Sequence, residues 1–577
     1  MTTLSLFQTL PMSIVDKIVE YLEGSSKNLC DSNLDKHNKR KKVLRPLLHV
    51  SEYWRAAALG SLCDNCEICL DDSPEGYIVR YHALPVGFPF PQYRGEILAK
   101  LVVVCVPSMI DIFGRKFSTD PSLLTPDFPI FPSATKLIVY QMEDEPRTIH
   151  NIFPVRNPEP VNRSKVIVDF ASALRRLTPV ATDVVLSFFF LGSSKRKDRK
   201  NRGLCNIFVS ELCRGTISSI HVESRTGPPL PSFKLNGITQ LTRITQGSSM
   251  VCTPFAQLAY NNARTLQELS TRLEGETEFR TLIYGSKATQ AVYCSLSSLS
   301  IQIAGMPYGT SWAAIKDAAP FPVLRKLDVL DAYPFEDNLF FRGNGSTLQC
   351  LNVPFDAVSK NIFGRFGILE RRGFTRMRSI AIGPEGNEAE NQEVVVGPAN
   401  DFIGRQARRM AEVATTLSLG YYSNDAQLYN SILRTRRTAV IRHLELRVFL
   451  LDTAHVIDMV TRLPNLVSLE LGIKGSVPNI EAIPASGHPS ILLANHYQCL
   501  NTNFRKLVVI DDGVNNDKRA REIAVVAVQI TVLCPNFRHV DLARDMRNTF
   551  SREIAWATVN PPFLPYVRLL RRLIYTK

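Results

Sequence analysis

Three cysteines with the spacing Cys63-x-x-Cys66-x-x-Cys69 are the first residues in the sequence that could bind a metal ion. A structural zinc site needs four tetrahedral ligands, which usually come as two pairs. No second Cys or His pair follows at finger-like spacing, and His82 is isolated. We therefore predict a first β-strand over residues 66–70 and no metal site.

Other motifs that would support catalysis are missing from the sequence. The ten histidines are scattered, and neither His-Glu-x-x-His nor Gly-x-Ser-x-Gly occurs. A lone Gly-x-Gly at Gly343 and Gly345 has no P-loop lysine after it, so a turn is the better interpretation. These absences predict a protein that is not an enzyme and that needs no cofactor.

The composition is that of a globular protein with a large core. The chain has 577 residues, of which 45% are hydrophobic and 21% are charged. Its longest apolar runs fall short of the ~20 residues that cross a bilayer, so we expect no membrane partner and no signal peptide. Twelve cysteines over this length do not form a disulfide framework. We therefore expect a reducing compartment, the nucleus and/or the cytoplasm.

The net charge of +14 permits contacts with nucleic acid or with acidic proteins. Part of the excess lies in two basic runs, over residues 37–42 and 195–202. Each run is either a solvated loop or a nuclear-import signal. Nucleic-acid binding is an alternative that we do not favour, and a steep salt dependence of DNA or RNA affinity would support it.

The N-terminal segment has helical periodicity. Pro11 suits the first turn of a helix, Gly24 suits its end, and a polar stretch follows over residues 25–42. A second helical pattern, over residues 43–59, is interrupted and predicts two short helices. The apolar stripe of the first helix consists of Ile14, Val15, Ile18, Val19 and Leu22.

Two motifs in this segment resemble the F-box. They read Leu10-Pro11-x-x-Ile14-x-x-x-Ile18-x-x-Tyr21-Leu22 and Leu47-Leu48-x-Val50-Ser51-x-x-Trp54-Arg55. The resemblance covers about residues 5–60 and departs from the family by about twenty extra polar residues between the two motifs. Such an insertion costs little, because the entropy of loop closure grows only logarithmically with length.

The resemblance implies a three-helix module that binds the Skp adaptor of cullin-RING ubiquitin ligases. The wider chain is similar to fungal proteins that combine an F-box-like start with leucine-rich repeats. The alternative is a small helical cap that packs on the domain after it. By resemblance, the residues that contact Skp are Leu10, Pro11, Ile14, Ile18, Leu22, Val50 and Trp54.

The rest of the chain contains a degenerate repeat, apolar-x-x-Leu-x-apolar. From Leu241 onward, the central residues of its copies lie 24 to 38 residues apart. No asparagine recurs at the position that forms the usual asparagine ladder. The clear copies centre on Leu299, Leu327, Leu351, Ile380, Leu444, Leu469, Leu507 and Val540. The weaker copies centre on Leu137, Val185, Ile220, Leu241, Leu269 and Leu417.

Helical periodicity separates several copies, as over residues 453–463 and 523–533. The order strand, helix, breaker, strand predicts an α/β fold, namely an irregular leucine-rich-repeat solenoid of the ribonuclease-inhibitor-like horseshoe type. A generic α/β domain is the alternative. We place an F-box-like module at residues 1–62 and the solenoid at residues 63–577. Loop insertions are predicted near residues 143–162, 193–203 and 383–399.

Strand alternation places the residues on either side of the central leucine on the face opposite the core. This predicted face includes Lys326, Asp328, Ser379, His443, Glu445, Ser468, Glu470, Lys506, His539 and Asp541. The residue two places before the central position is often arginine. These arginines are Arg325, Arg378, Arg442, Arg505 and Arg538. They are either solvated repeat residues or a row that binds an acidic or phosphorylated target.

Together these features predict a non-enzymatic substrate-recognition adaptor of an SCF-type cullin-RING ubiquitin ligase, in the ubiquitin-conjugation pathway. The F-box-like module would bind Skp and the solenoid would bind an unknown target protein. The alternative is a leucine-rich-repeat interaction scaffold with no ubiquitin-ligase role.

Overall fold

The structure is a computed structural model of the chain. Two compact units, Met1–Ala291 and Val292–Lys577, divide the molecule. The residues that the structure describes are 14–15, 17–18, 54, 65–70, 77–81, 101–106, 130–141, 163–188, 207–215, 217–224, 238–247, 253–285, 289–304, 319–330, 340, 346–354, 376–383, 413–419, 440–451, 453–473, 501–509, 516–543, 546–559 and 566–574.

The first unit is built on a sheet in which β1 lies between β2 and β3, and each strand from β3 to β7 pairs with the next. All of these pairings are parallel except that of β1 with β2. The strands are β1 (Asn65–Leu70), β2 (Tyr77–Tyr81), β3 (Leu101–Val106), β4 (Lys136–Gln141), β5 (Asp183–Phe188), β6 (Ser219–Ser224), β7 (Arg243–Gln246) and β8 (Glu268–Glu274). The helices are α1 (Arg163–Leu177), α2 (Thr253–Asn261) and α3 (Gly275–Tyr284).

The second unit has a parallel sheet in which each strand pairs with the next one along the chain. Its strands are β9 (Ser298–Ala304), β10 (Lys326–Val329), β11 (Cys350–Pro354), β12 (Ser379–Gly383), β13 (Thr416–Leu419), β14 (His443–Leu451), β15 (Ser468–Ile473), β16 (Lys506–Val509) and β17 (His539–Asp541). Its helices are α4 (Thr453–Arg462), α5 (Asn516–Leu533), α6 (Arg547–Val559) and α7 (Val567–Ile574).

This architecture confirms the predicted α/β class with a solenoid-like order of strands. Parallel neighbours need a crossover between them, and α1, α2, α4 and α5 lie in such connections. The strand predicted at residues 66–70 is β1, and the two predicted helical stretches are α4 and most of α5. Of the predicted insertions, only Gly383, the last residue of β12, is described. The boundary predicted at residue 62 falls outside the described residues.

The core of the second unit is a column of buried apolar side chains, one from each strand. Strand pairing places the central residues of the repeat directly beside one another. All are 7% exposed or less, and burying one such side chain contributes about 1.5–3 kcal/mol. The column consists of Leu299, Leu327, Leu351, Ile380, Leu417, Leu444, Leu469, Leu507 and Val540, as the repeat predicts.

Two of the predicted centres in the first unit are wrong. Leu137, Ile220 and Leu269 do occupy the central column, but strand pairing places Val184, not Val185, beside Leu137 and Ile220. The column continues through Ile244, not Leu241. Leu241 is also buried, but it occupies the first apolar position of the motif, three residues before Ile244.

Buried asparagines stabilise the turns that precede two of the strands. In the first unit, the Asn262 Nδ2 donates to the Ile238 carbonyl at 2.8 Å, and its Oδ1 accepts from the Leu241 N–H at 2.8 Å. Asn501 does the same in the second unit, where its Oδ1 accepts from the Phe504 N–H at 3.1 Å. The Asn501 Nδ2 lies within 3.1 Å of three carbonyl oxygens, those of Val460, Leu463 and Leu466.

A short asparagine ladder also joins the last three repeats. The Asn503 Nδ2 donates to the Pro464 carbonyl at 3.0 Å, and the Asn536 Nδ2 donates to the Thr502 carbonyl at 2.6 Å. These residues lie just before the first apolar position of the motif. The absence of asparagine at the usual ladder position therefore did not predict these bonds, which are made from a different position.

Replacing Asn501 with Ala is expected to lower the free energy of unfolding by about 3 kcal/mol, because it leaves buried N–H and carbonyl groups unpaired. Asn536→Ala, which removes one exposed hydrogen bond, should cost less than about 1 kcal/mol. Urea unfolding of the full chain measures both. Equal costs would show that Asn501 is not a structural anchor.

Candidate functional site

A ladder of backbone hydrogen bonds runs along the amino-terminal edge of the second sheet. We call the residue two places before each central residue the edge position. The edge carbonyl of one strand accepts the edge N–H of the next, as in Gln349 to Arg325 at 2.7 Å and Val467 to Arg442 at 2.7 Å. At Arg378 the Thr416 N–H and the Thr415 hydroxyl donate instead. The edge positions are Ser297, Arg325, Gln349, Arg378, Thr415, Arg442, Val467, Arg505 and Arg538.

This ladder brings the five predicted arginines into one line, which we call the arginine row. Four of them, Arg325, Arg378, Arg442 and Arg505, precede β10, β12, β14 and β16, so they fall on every second strand. Arg538 precedes β17, directly beside Arg505. Neighbouring strands lie about 4.7–4.9 Å apart. The first four arginines are therefore about 9–10 Å apart along the edge, and the last two are about 5 Å apart.

The arginine row is exposed, and its charges are not paired within the described part of the chain. All five residues are exposed, and none of their guanidinium groups forms an ion pair with any residue that the structure describes. Basic side chains on the first sheet behave differently. There the Lys136 ammonium lies 3.5 Å from the Asp183 carboxylate, and Arg243 Nε lies 2.7 Å from that of Glu268.

At the equivalent edge of the first unit, none of the described positions is arginine. Its backbone ladder is the same, with the Thr182 N–H donating to the Thr135 carbonyl at 3.0 Å and the Thr242 N–H donating to Ser218 at 2.7 Å. Hydroxyl groups reinforce it, as where Thr242 Oγ1 donates to the Ser218 carbonyl at 3.1 Å. Its edge positions are Thr135, Thr182, Ser218, Thr242 and Gln267. The fold therefore does not require arginine at the edge.

The face of the second sheet opposite the core is polar, as predicted. The ten residues assigned to it are half-buried or exposed and alternate with buried ones. Several bond across strands: the Lys506 ammonium lies 3.4 Å from the Asp541 carboxylate, and His443 Nδ1 lies 2.7 Å from Ser468 Oγ. On this face, four of the nine positions one residue after the central column carry carboxylates, on β10, β14, β15 and β17. We call Asp328, Glu445, Glu470 and Asp541 the acidic column.

Titratable groups at the two ends of the acidic column have pKa values that are shifted in opposite directions. Burial raises the pKa of the Asp328 carboxyl, and Lys326 and a 2.7 Å hydrogen bond from Asn352 oppose that shift. At the other end, burial lowers the pKa of His539, and the neighbouring Lys506 adds to the decrease while Asp541 opposes it. His539 is therefore mainly neutral at pH 7.

The structure describes three of the seven residues assigned to Skp binding. Ile14 is 42% exposed, Ile18 is half-buried, and Trp54 is only 4% exposed. Val15, beside Ile14, is fully buried. Ile14 is thus available to a partner, whereas Trp54 lies mainly inside the protein. The others, Leu10, Pro11, Leu22 and Val50, lie outside the described residues, and the whole assignment stays a prediction.

No cluster of three or more metal-binding side chains occurs among the described residues. Within the same residues, no helix combines the length and the hydrophobicity needed to cross a bilayer. Cys66 and Cys69 lie on β1. Cys63 is outside the described residues.

No protein-family model and no curated protein matches the chain. The F-box interpretation therefore depends on the motif residues themselves. The arginine row depends on the sheet geometry. The five arginines could be predicted from the sequence, but their alternation with other residues along the edge could not. Only strand pairing shows that the intervening edge positions belong to the same line.

Replacing Arg442, Arg505 and Arg538 together with Gln should change the free energy of unfolding by less than about 0.5 kcal/mol, as is usual for exposed residues without partners. Leu469→Ala, in the central column, should cost about 2–5 kcal/mol. Urea unfolding of both variants tests whether the row is structural. A large decrease in the free energy of unfolding of the arginine variant would show that the row stabilises the fold.

Proposed function

We propose that the protein is a non-enzymatic substrate-recognition adaptor of an SCF-type ubiquitin ligase, with the arginine row as part of its target-binding site. The observation that supports target binding is a line of exposed arginines on a hydrogen-bonded sheet edge, which form no ion pair with the residues that the structure describes. The hydrogen-bonded edge fixes the spacing of the backbone positions that carry these side chains, so no backbone segment has to be ordered when a partner binds. The F-box resemblance supplies the link to Skp.

The proposed mechanism is proximity. An F-box-like module bound to Skp and a horseshoe-shaped solenoid bound to a target would raise the effective concentration of the target near the ubiquitin-transferring enzyme. This chain would supply binding sites and no catalytic group. The protein would act in the nucleus and/or the cytoplasm, and the basic run at residues 195–202 is a candidate import signal.

The second candidate is an interaction scaffold that uses the same target-binding edge without Skp. Ile14 separates the two functions, because an apolar side chain left 42% exposed on a helical segment suits a partner contact. A scaffold without Skp would not need this residue.

We expect the double variant Leu10→Ala, Pro11→Ala to abolish Skp pull-down, and Ile14→Ala to weaken it. Truncating a large anchor in such an interface costs about 2–4 kcal/mol. Lys17→Ala is the matched control, because Lys17 is exposed on the same segment and is not an assigned contact. Circular dichroism should stay unchanged. Undiminished pull-down by the double variant would leave the scaffold as the better account.

The Arg442, Arg505 and Arg538 to Gln variant should lose partner proteins in affinity purification followed by quantitative mass spectrometry. Its control replaces Arg568, Arg571 and Arg572, which are exposed on α7, with Gln and changes the net charge equally. A partner list that shrinks only in the row variant supports the edge as the target-binding site. Identical lists at low and moderate salt would place target binding elsewhere.

A further inference from the structure

The spacing of the arginine row limits the chemistry of what can bind there. Four of its members, Arg325, Arg378, Arg442 and Arg505, recur about every 9–10 Å across the strands. An extended polypeptide advances about 3.3 Å per residue, and a polyproline-II segment advances about 3.1 Å. Three residues of either conformation therefore span one interval of the row. In an extended strand, however, side chains alternate between two faces, whereas the three residues per turn of a polyproline-II helix bring every third side chain back to the same face.

Charge complementarity predicts which side chains a bound segment places opposite the arginines. A guanidinium group can bind a carboxylate through two parallel hydrogen bonds, and the row has no internal carboxylate partner among the described residues. A segment crossing the strands with an acidic residue at every third position would place one carboxylate opposite each of these arginines. The intervening edge residues, Gln349, Thr415 and Val467, are uncharged and would contact the residues of the segment that lie between its acidic ones.

The acidic column restricts the binding partner to a narrow chain. Three residues after the edge position, about 10 Å along the strand, Asp328 follows Arg325 and Glu445 follows Arg442. Ala381 and Val508 occupy the same place on the strands of Arg378 and Arg505, so the carboxylates flank only part of the row. A nucleic-acid duplex, with grooves of about 12 and 6 Å, is broader than this strip and would bring its phosphates over Asp328, Glu445 and Glu470. A single extended polypeptide fits the edge without meeting them.

One end of the row carries a denser positive charge. Arg505 and Arg538 precede adjacent strands, joined by the hydrogen bond from the Arg538 N–H to the Arg505 carbonyl at 3.0 Å. Because their backbones lie about 5 Å apart, the two guanidinium groups can reach one carboxylate together, one group for each oxygen.

We propose that the arginine row binds a single segment of a target protein in the polyproline-II conformation, in which Asp or Glu recurs at every third residue over about ten residues. The acidic residue at one end of this segment binds the Arg505–Arg538 pair. This proposal deepens the target-binding half of the proposed function, on which it rests, and does not depend on Skp.

The experiment measures binding of fluorescent twelve-residue peptides to the full-length chain by anisotropy at 50 and 150 mM salt. One peptide has Glu at every third position with Ala and Ser between. Two permuted peptides of the same composition place the four glutamates at every second position or in one block. We expect the every-third peptide to bind at least about tenfold more tightly, a difference of about 1.4 kcal/mol. Equal affinities would overturn the proposal.

Two variants locate the binding. Replacing Arg442, Arg505 and Arg538 with Gln should weaken the every-third peptide at least about tenfold, whereas replacing Arg568, Arg571 and Arg572 should leave its affinity within about twofold. Equal loss in both variants would mean that net charge alone attracts the peptide, and the proposal would fail. Tighter binding of a single-stranded oligonucleotide at the same edge would also overturn it.

These results separate the two hypotheses. Periodic peptide binding together with a failed Skp pull-down would keep this inference and reject the adaptor role. Loss of natural partners in the row variant without any preference for the periodic peptide would keep the edge as the target-binding site and reject the chemistry proposed for it.

Discussion

The shared acceptor at the edge of each sheet is the interaction on which the rest of the structure depends. A single edge carbonyl accepts two N–H groups of the next repeat. The Arg325 carbonyl, for example, accepts those of Gln349 at 2.7 Å and Cys350 at 2.9 Å. This pair of bonds fixes the register, and a slip of one residue would turn every buried apolar side chain toward solvent. The central column is aligned because the edge is aligned.

The same ladder explains why the edge side chains can vary. The backbone supplies the hydrogen bonds at this position, so the side chain is free to be threonine in one unit and arginine in the other. Core positions do not have this freedom, since loss of a methyl or methylene group there leaves a cavity. The edge is consequently where these repeats can acquire a binding function without a cost in stability.

The sequence predicted the second unit better than the first for a physical reason. Around Leu444 and Leu469, apolar and polar residues alternate, so the buried face can be read directly. In β5 the run Val184-Val185-Leu186 has no polar residue to mark the outer face, and the predicted centre was displaced by one residue. The buried Asn262 and Asn501 lie outside the repeat motif, and only their hydrogen bonds reveal what they do.

The spacing of the arginine row also decides how its charges behave. At physiological salt the Debye length is about 8 Å, shorter than the 9–10 Å between most members of the row. Their mutual repulsion is therefore largely screened, and each guanidinium group interacts with a ligand almost independently. Arg505 and Arg538, about 5 Å apart, are too close for that screening. An anion bound between them relieves their repulsion and gains two charge-assisted hydrogen bonds, so this end of the row should contribute the most to binding.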